Sequence, residues 1–169
     1  AARGEEVTLD GSDPAPDWER TSLPGAPAGL SFWCRTNYRT FYQPFGDPAY
    51  RQRLAAQGGT GLEQIERRSR GDMVWMDGRT TLEVVSPAQL APRRFWVDRD
   101  GRRLLLALEA EDAPKQHTLE VSARGILFSG RSASFLRLQR LRFTRASSVV
   151  APALAIGGPG TRGWLVEDC

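Results

Sequence analysis

Two stretches near the end of the chain, GILFSGRSASFLRLQRL over residues 125–141 and ALAIGGPGTRGWLVEDC over residues 153–169, share one pattern of residue environments. At an offset of 28 residues, the apolar positions of one stretch fall on apolar positions of the other, with almost no identity. Two short strands joined by a glycine turn and recurring at a fixed period are typical of the coils of a β-solenoid. The aligned pairs include Ile126 with Leu154, Gly130 with Gly158, and Leu138 with Val166.

Stacked coils would account for this repeat physically. Successive coils lie about 4.8 Å apart, so like positions form ladders, and each buried apolar side chain contributes roughly 1.5–3 kcal/mol. The same offset places Arg140 over Asp168 and Gln139 over Glu167, and opposite charges across strands attract each other. The sequence ends inside a strand at Cys169. Because an uncapped solenoid edge invites aggregation, we expect a piece of a longer protein, with a terminus covered by a partner as the alternative.

The rest of the chain divides into three further segments by texture. We expect a first strand and loop, an aromatic and partly helical insertion, and a β-rich, hairpin-rich platform before the coils. The predicted divisions are residues 1–30, 31–70, 71–124 and 125–169.

Local signals fix several elements within these segments. Asp47-Pro48 combines an N-cap acceptor with proline at the first helical position, which predicts a helix to about Ala56. A second short helix is expected over Leu62–Arg68. Asp77-Gly78 and Asp100-Gly101 are typical hairpin turns between strands.

Composition excludes several classes of protein. Forty per cent hydrophobic and 25% charged residues are ordinary for a globular domain, and no apolar run is long enough to span a bilayer. The net charge is only +3, which argues against a dedicated nucleic-acid binder. Lys115 is the only lysine. The excess of arginine reflects either codon usage or a surface that grips planar anions.

Six stretches together resemble bacterial right-handed parallel β-helix proteins of the pectin-lyase-like group. The resemblance covers about residues 3–13 and 71–169, and residues 31–70 match nothing in that group. Arg140 stands where those proteins usually have glycine, and Arg93 and Arg94 replace a turn that usually contains glycine. The stretches are ARGEEVTLDGSDP (2–14), DMVWMDGRTTLEVV (72–85), LAPRRFWVDRDGRRLLLAL (90–108), HTLEVSARGILFSG (117–130), SFLRLQRLRF (134–143) and GWLVEDC (163–169).

The resemblance implies a secreted or cell-envelope protein that acts on or binds polysaccharide, although no signal peptide is visible in this sequence. The leading hypothesis is a polysaccharide lyase or glycoside hydrolase whose catalytic coils lie beyond residue 169. The alternative is a carbohydrate-binding or surface-adhesion solenoid without activity. Calcium is a possible cofactor by family analogy only, and the residues themselves indicate no metal site.

Candidate site residues are few. Glu167 and Asp168 are candidate acid or base groups, since glycosidases need paired carboxylates, although cross-coil pairing is the simpler role. Arg137 and Arg142 should point outward and could hold an acidic glycan. His117, the only histidine, is expected in a loop or at the surface rather than as a catalytic base. Aromatic residues in loop-like segments are further sugar-binding candidates: Trp33, Tyr38 and Tyr42.

Overall fold

The computed structural model describes residues 6–41, 47–57, 60–147 and 153–169. The chain divides into two compact units. The first unit joins both ends of the chain, Ala1–Asp13 and Ser122–Cys169, and the second is the continuous stretch Pro14–Val121.

Strands far outnumber helices among the described residues. The strands are β1 (Val7–Asp10), β2 (Ser12–Pro14), β3 (Glu19–Thr21), β4 (Leu30–Arg35), β5 (Val74–Met76), β6 (Arg79–Thr80), β7 (Leu82–Glu83), β8 (Arg94–Asp98), β9 (Arg103–Glu109), β10 (Leu119–Ser122), β11 (Phe128–Arg131), β12 (Arg137–Gln139), β13 (Leu141–Thr144), β14 (Leu154–Gly157) and β15 (Leu165–Glu167). The helices are α1 (Pro48–Ala56) and α2 (Thr60–Arg68).

The second unit is built around a five-stranded sheet in the order β3-β4-β9-β8-β7. Its central strand β9 carries the run Leu104–Leu108, which is buried throughout. A run without alternation is expected where both faces of a strand are covered. One face packs with side chains of β5 and β10 in the main core cluster, which includes Phe95, Leu106 and Val121. The core of this unit therefore lies between the five-stranded sheet and the sheet that contains β5 and β10.

The two hairpin turns and the helix start predicted for this unit are confirmed. β5 and β6 pair antiparallel across Asp77-Gly78, whose φ angles of 53° and 74° are those that a tight hairpin turn requires. β8 and β9 pair antiparallel across the second predicted turn. Helix α1 begins as expected: the Asp47 carboxylate accepts the Tyr50 backbone N–H at 2.8 Å.

The first unit holds three parallel pairs of strands: β1 with β13, β11 with β14, and β12 with β15. Each pair is a separate two-stranded sheet. Trp164 packs against the pair formed by β11 and β14. Its ring meets the ring of Phe128 edge-on, with 6.1 Å between the ring centroids. Its indole N–H donates to the carbonyl oxygen of Ala133 at 2.8 Å.

The predicted right-handed parallel β-helix is wrong for the described residues, which form small separate sheets rather than a continuous stack. The pairing offset is 26 residues where Phe128 faces Leu154, but 28 where Leu138 faces Val166, so the pairs share no single period. Val166, which a solenoid would bury, is 41% exposed. The repeated apolar pattern is explained instead by pairs of strands that each bury part of one face. Leu138, for example, is only 8% exposed.

The register prediction fares differently in the two pairs. Leu138 pairs with Val166, and Gln139 with Glu167, as the offset of 28 predicts. Ile126 does not pair with Leu154, whose partner is Phe128. A shift of two residues keeps the side chains on the same face of the strand, which is why the apolar pattern alone does not detect it.

Candidate functional site

A cleft of about 610 Å³ opens in the first unit beside strand β13. We call it the β13 cleft. It collects residues from three distant parts of the sequence, because β1 pairs with β13 while the chain just after β15 lies next to the end of β12. Its lining residues are Glu6, Arg140, Leu141, Arg142, Phe143, Asp168 and Cys169.

The backbone at the rim of the β13 cleft is conformationally costly. Arg140 and Asp168 have φ angles of 55° and 52°, in the left-handed region that favours glycine. The Arg140 N–H donates to the carbonyl oxygen of Glu167 at 3.2 Å, which ties the two turns together. Non-glycine residues held in this conformation cost about 1–3 kcal/mol each and concentrate at functional sites.

The cleft combines charge with apolar surface. An Nη1 atom of Arg142 lies 3.8 Å from Oε1 of Glu6, and both side chains are mostly exposed, so this contact is loose. Leu141 and Phe143 are half-buried and supply an apolar wall. Binding sites for small molecules typically have such an apolar lining with a few polar groups that fix orientation.

Two of the candidate residues lie together just outside the cleft lining. Arg137 donates from Nε to Oε2 of Glu167 at 2.7 Å, and a second nitrogen of the guanidinium contacts the same oxygen. This is a cross-strand ion pair between β12 and β15, and it supports the cross-coil pairing role considered for Glu167. Asp168, by contrast, lines the β13 cleft, as does Arg142.

Of the aromatic candidates, Trp33 and Tyr38 belong to the second unit. Trp33 lies in strand β4 rather than in a loop, and packs partly buried against the core. Tyr38 is buried, and its hydroxyl donates to the Asp72 carboxylate at 3.0 Å. Tyr42 lies outside the described residues.

A histidine cluster was not expected from the sequence. Nδ1 of His117 lies 2.8 Å from Oδ2 of Asp77, and Nε2 lies 2.9 Å from Oδ1 of Asp112. Desolvation would lower the pKa of His117, but hydrogen bonds to Asp112 and Asp77 raise it above its ordinary value. Asp77 also accepts the Thr118 N–H at 3.0 Å. A ring held through both nitrogens joins the hairpin turn to the segment before β10 and is poorly placed to act as a free base.

A second ionisable pair is buried in the same unit. The guanidinium of Arg70 contacts the Glu83 carboxylate, and both side chains are about one-tenth exposed. Burial raises the pKa of Glu83 to about 7, although Arg70 acts in the opposite direction. Arg70 also donates to the carbonyl oxygens of Val84 and Val85 at 3.3 and 3.4 Å. The pair therefore fixes strand β7 to the chain that follows α2.

No group of three His, Cys, Asp or Glu side chains in the described ranges is arranged to hold a metal ion. The possible role of calcium stays a prediction. Within the same ranges, no helix has the length and apolar character needed to cross a membrane.

Comparisons with known proteins give a fold likeness. The structure is similar to part of a solved structure described as "The complex structure of XylC with xylose", with a TM-score of 0.56 and 16% sequence identity. The match covers 89% of this chain and 26% of that chain, so this chain spans about a quarter of the length of that protein. No family model matches the sequence, and no curated protein matches it. At this identity the likeness shows the fold alone.

Proposed function

We propose that this chain is part of a carbohydrate-binding protein and that the β13 cleft is its sugar-binding surface. The observation that carries the proposal is the composition of the cleft. Arg140, Arg142, Asp168 and Glu6 offer hydrogen bonds to hydroxyl groups around an apolar wall that includes Phe143. The fold likeness to XylC, whose structure was solved with xylose, supports the same class of ligand.

The polar groups of the cleft favour an acidic glycan over a neutral one. Arg140 forms no salt bridge with any described residue, and the contact between Arg142 and Glu6 is long at 3.8 Å. A guanidinium group binds a carboxylate through two parallel hydrogen bonds, which are about twice as strong as those between neutral groups. A uronic acid could therefore displace the loose contact with Glu6 at little cost.

A polysaccharide lyase or glycoside hydrolase is the second candidate, and one observation favours it. Asp168 lines the same cleft as Arg140 and Arg142, and its carboxylate could act as an acid or base on a sugar bound there. Glu167 is a weaker candidate for acid or base catalysis, since its carboxylate is bound by Arg137. Any activity of the whole protein belongs to the same proposal.

Calorimetric titration of the chain with xylo-oligosaccharides and with oligogalacturonides tests the proposal. We expect saturable binding, tighter for the acidic ligand, and about tenfold weaker for Arg142→Gln. Arg131→Gln is the matched control, because Arg131 is an exposed arginine of the same unit that does not line the cleft. Failure to bind either ligand, or equal losses in both variants, would contradict the proposal. If the oligosaccharides are cleaved during incubation with the protein, new unsaturated ends on the products would indicate a lyase. New reducing ends alone would indicate a hydrolase.

A further inference from the structure

A second, smaller cleft of about 330 Å³ lies in the other unit, between the β5–β6 hairpin and the start of β8. We call it the arginine cleft. Its lining residues are Met76, Arg79, Thr80, Thr81, Leu82, Pro92, Arg93 and Arg94. Three of these eight residues are arginines and none is acidic.

Two edges of sheet bring the arginines together. The tight turn at Asp77-Gly78 folds the chain back so that Arg79 faces Met76 across the hairpin. Strand β7 then runs parallel to β8, and their register places Leu82 beside Arg94. Strands β6 and β7 are the outer strands of their sheets, and both contribute lining residues to this cleft, Thr80 and Leu82.

Arg93 is held in place by its backbone. Its φ of 59° lies in the left-handed region, and its N–H donates to the carbonyl oxygen of Ala107 at 2.8 Å. A glycine would adopt this conformation without strain. An arginine, with its long cationic side chain, therefore occupies a position where the backbone conformation favours glycine.

The acidic residues nearest in sequence are already engaged elsewhere. Asp77 accepts hydrogen bonds from His117 and from the Thr118 N–H, and Glu83 is bound by Arg70. The charge of Arg93 reaches Asp77 only at longer range, where it is the smallest of the influences that lower the pKa of that carboxyl. Among the described residues, no salt bridge involves any of the three arginines of the cleft. Like charges gathered in a small cleft repel each other, and their field concentrates anions there.

We propose that the arginine cleft binds an oxyanion: a carboxylate, sulfate or phosphate group. Guanidinium groups match the planar geometry of such anions and bind them through paired hydrogen bonds. Leu82 is 53% exposed at the same cleft, and Pro92 is also exposed. The site therefore has room for an anionic group together with part of the molecule that carries it. The source of the oxyanion is either a free inorganic ion or an acidic substituent on a sugar.

Isothermal titration with sodium sulfate, sodium phosphate and glucuronate, at ionic strength matched with sodium chloride, tests this proposal. Glucose is the neutral counterpart of glucuronate. We expect saturable binding of at least one oxyanion and none of glucose at this site. Tighter binding of glucuronate would identify a sugar-borne group, and tighter binding of sulfate or phosphate a free ion.

Variants locate the binding. Arg94→Gln and Arg79→Gln should each weaken oxyanion binding about tenfold, the effect of removing one charge-assisted contact. Arg20→Gln, an exposed arginine on β3 outside the cleft, should leave it unchanged. Arg79 is exposed on a hairpin, so its substitution tests the site even if Arg94→Gln fails to fold. To separate this cleft from the β13 cleft, glucuronate is also titrated against Arg142→Gln. Binding that Arg142→Gln weakens belongs to the β13 cleft, and binding that Arg79→Gln and Arg94→Gln weaken belongs to the arginine cleft. No saturable binding, or binding unaffected by both cleft variants, would overturn the proposal.

Discussion

Arg140 lines the proposed sugar site and has a backbone conformation that lowers the stability of the folded chain. Its φ of 55° costs any residue with a Cβ atom about 1–2 kcal/mol, and glycine avoids this cost. Glycine also makes the unfolded chain more flexible, which offsets part of the gain in stability. We predict that Arg140→Gly raises the free energy of unfolding by about 0.5–1 kcal/mol and weakens sugar binding. Urea unfolding and calorimetric titration measure the two effects.

Arg102 provides the matched control for this prediction. It is an exposed arginine with a φ of 51°, and it lines neither cleft. Arg102→Gly should be stabilised to a similar degree and bind sugar as before. A gain in stability at Arg140 with undiminished affinity would show that its side chain takes no part in binding.

The His117 cluster makes stability depend on pH. Because hydrogen bonds with two carboxylates raise the pKa of His117, its contribution is complete below about pH 6.5 and is lost as the pH rises through the raised value. The hydrogen bonds of Asp77 with Thr118 and His117 lower the pKa of that carboxyl. Its contribution is present above its ordinary pKa and is lost as the pH falls through the lowered value.

We therefore predict that His117→Gln destabilises the chain more near pH 5.5 than near pH 9, as measured by urea unfolding at about those two values. Glu83 also titrates near neutrality, but it is present in both proteins, so its effect cancels in the difference. Asp112→Asn should reproduce the pattern. An equal loss at both pH values would rule out a charged His117 in the folded protein.

Residues that act through neighbours in sequence could be predicted, and those that act through distant partners could not. The N-cap role of Asp47 follows from the proline beside it, and the turn at Asp77-Gly78 from its own two residues. His117 meets Asp77 from 40 positions away, and no local pattern signals that contact. The same holds for the buried carboxylate of Asp72, which is bound by Tyr38 and Thr40.

At the scale of elements, the pairing of β1 with β13 depends on one glycine. A Cβ atom at Gly11 would lie 2.4 Å from the carbonyl oxygen of Arg145 and 2.8 Å from the Cα of Ala146, both backbone atoms. The Gly11 N–H also donates to the carbonyl oxygen of Thr144 at 2.9 Å, so the strands cannot separate without losing this bond.

We predict that Gly11→Ala destabilises the chain by about 1–3 kcal/mol or more, the usual cost of overpacking, measured by urea unfolding. Thr8→Ala, at an exposed position of β1, is the control and should change stability by less than about 0.5 kcal/mol. Equal stabilities for Gly11→Ala and the unsubstituted chain would mean that β1 and β13 do not approach so closely.

Elements defined by short-range signals were predicted well, and their assembly was not. Helix α1 follows from its N-cap and proline, and both hairpins follow from Asp-Gly turns. Helix α2 was expected over Leu62–Arg68 without a cap signal and is found over Thr60–Arg68. Residues 31–70 are predicted to be an aromatic, partly helical insertion; within them, β4 pairs with β3 and β9 in the five-stranded sheet. Nothing in a run of aromatic residues specifies that its partner, β9, lies some 70 residues later.

At the scale of the whole molecule, the β-rich character was predicted, but the described residues do not form the predicted right-handed parallel β-helix. An apolar repeat reports which faces are buried, and two-stranded pairs bury such faces as well as a continuous stack does. The β13 cleft was equally beyond sequence reasoning, because Glu6, Arg142 and Asp168 come from opposite ends of the chain. Asp168 and Arg142 were nevertheless candidates: Asp168 because glycosidases need paired carboxylates, and Arg142 because an outward-facing arginine could hold an acidic glycan.

The most direct test of the proposed sugar site is amide chemical-shift mapping by nuclear magnetic resonance during titration with xylo-oligosaccharides and oligogalacturonides. We expect the saturating shift changes to concentrate on Glu6, residues 140–143 and residues 168–169, and Arg142→Gln to reduce them. Shift changes that are absent, or that fall elsewhere on the chain, would contradict it.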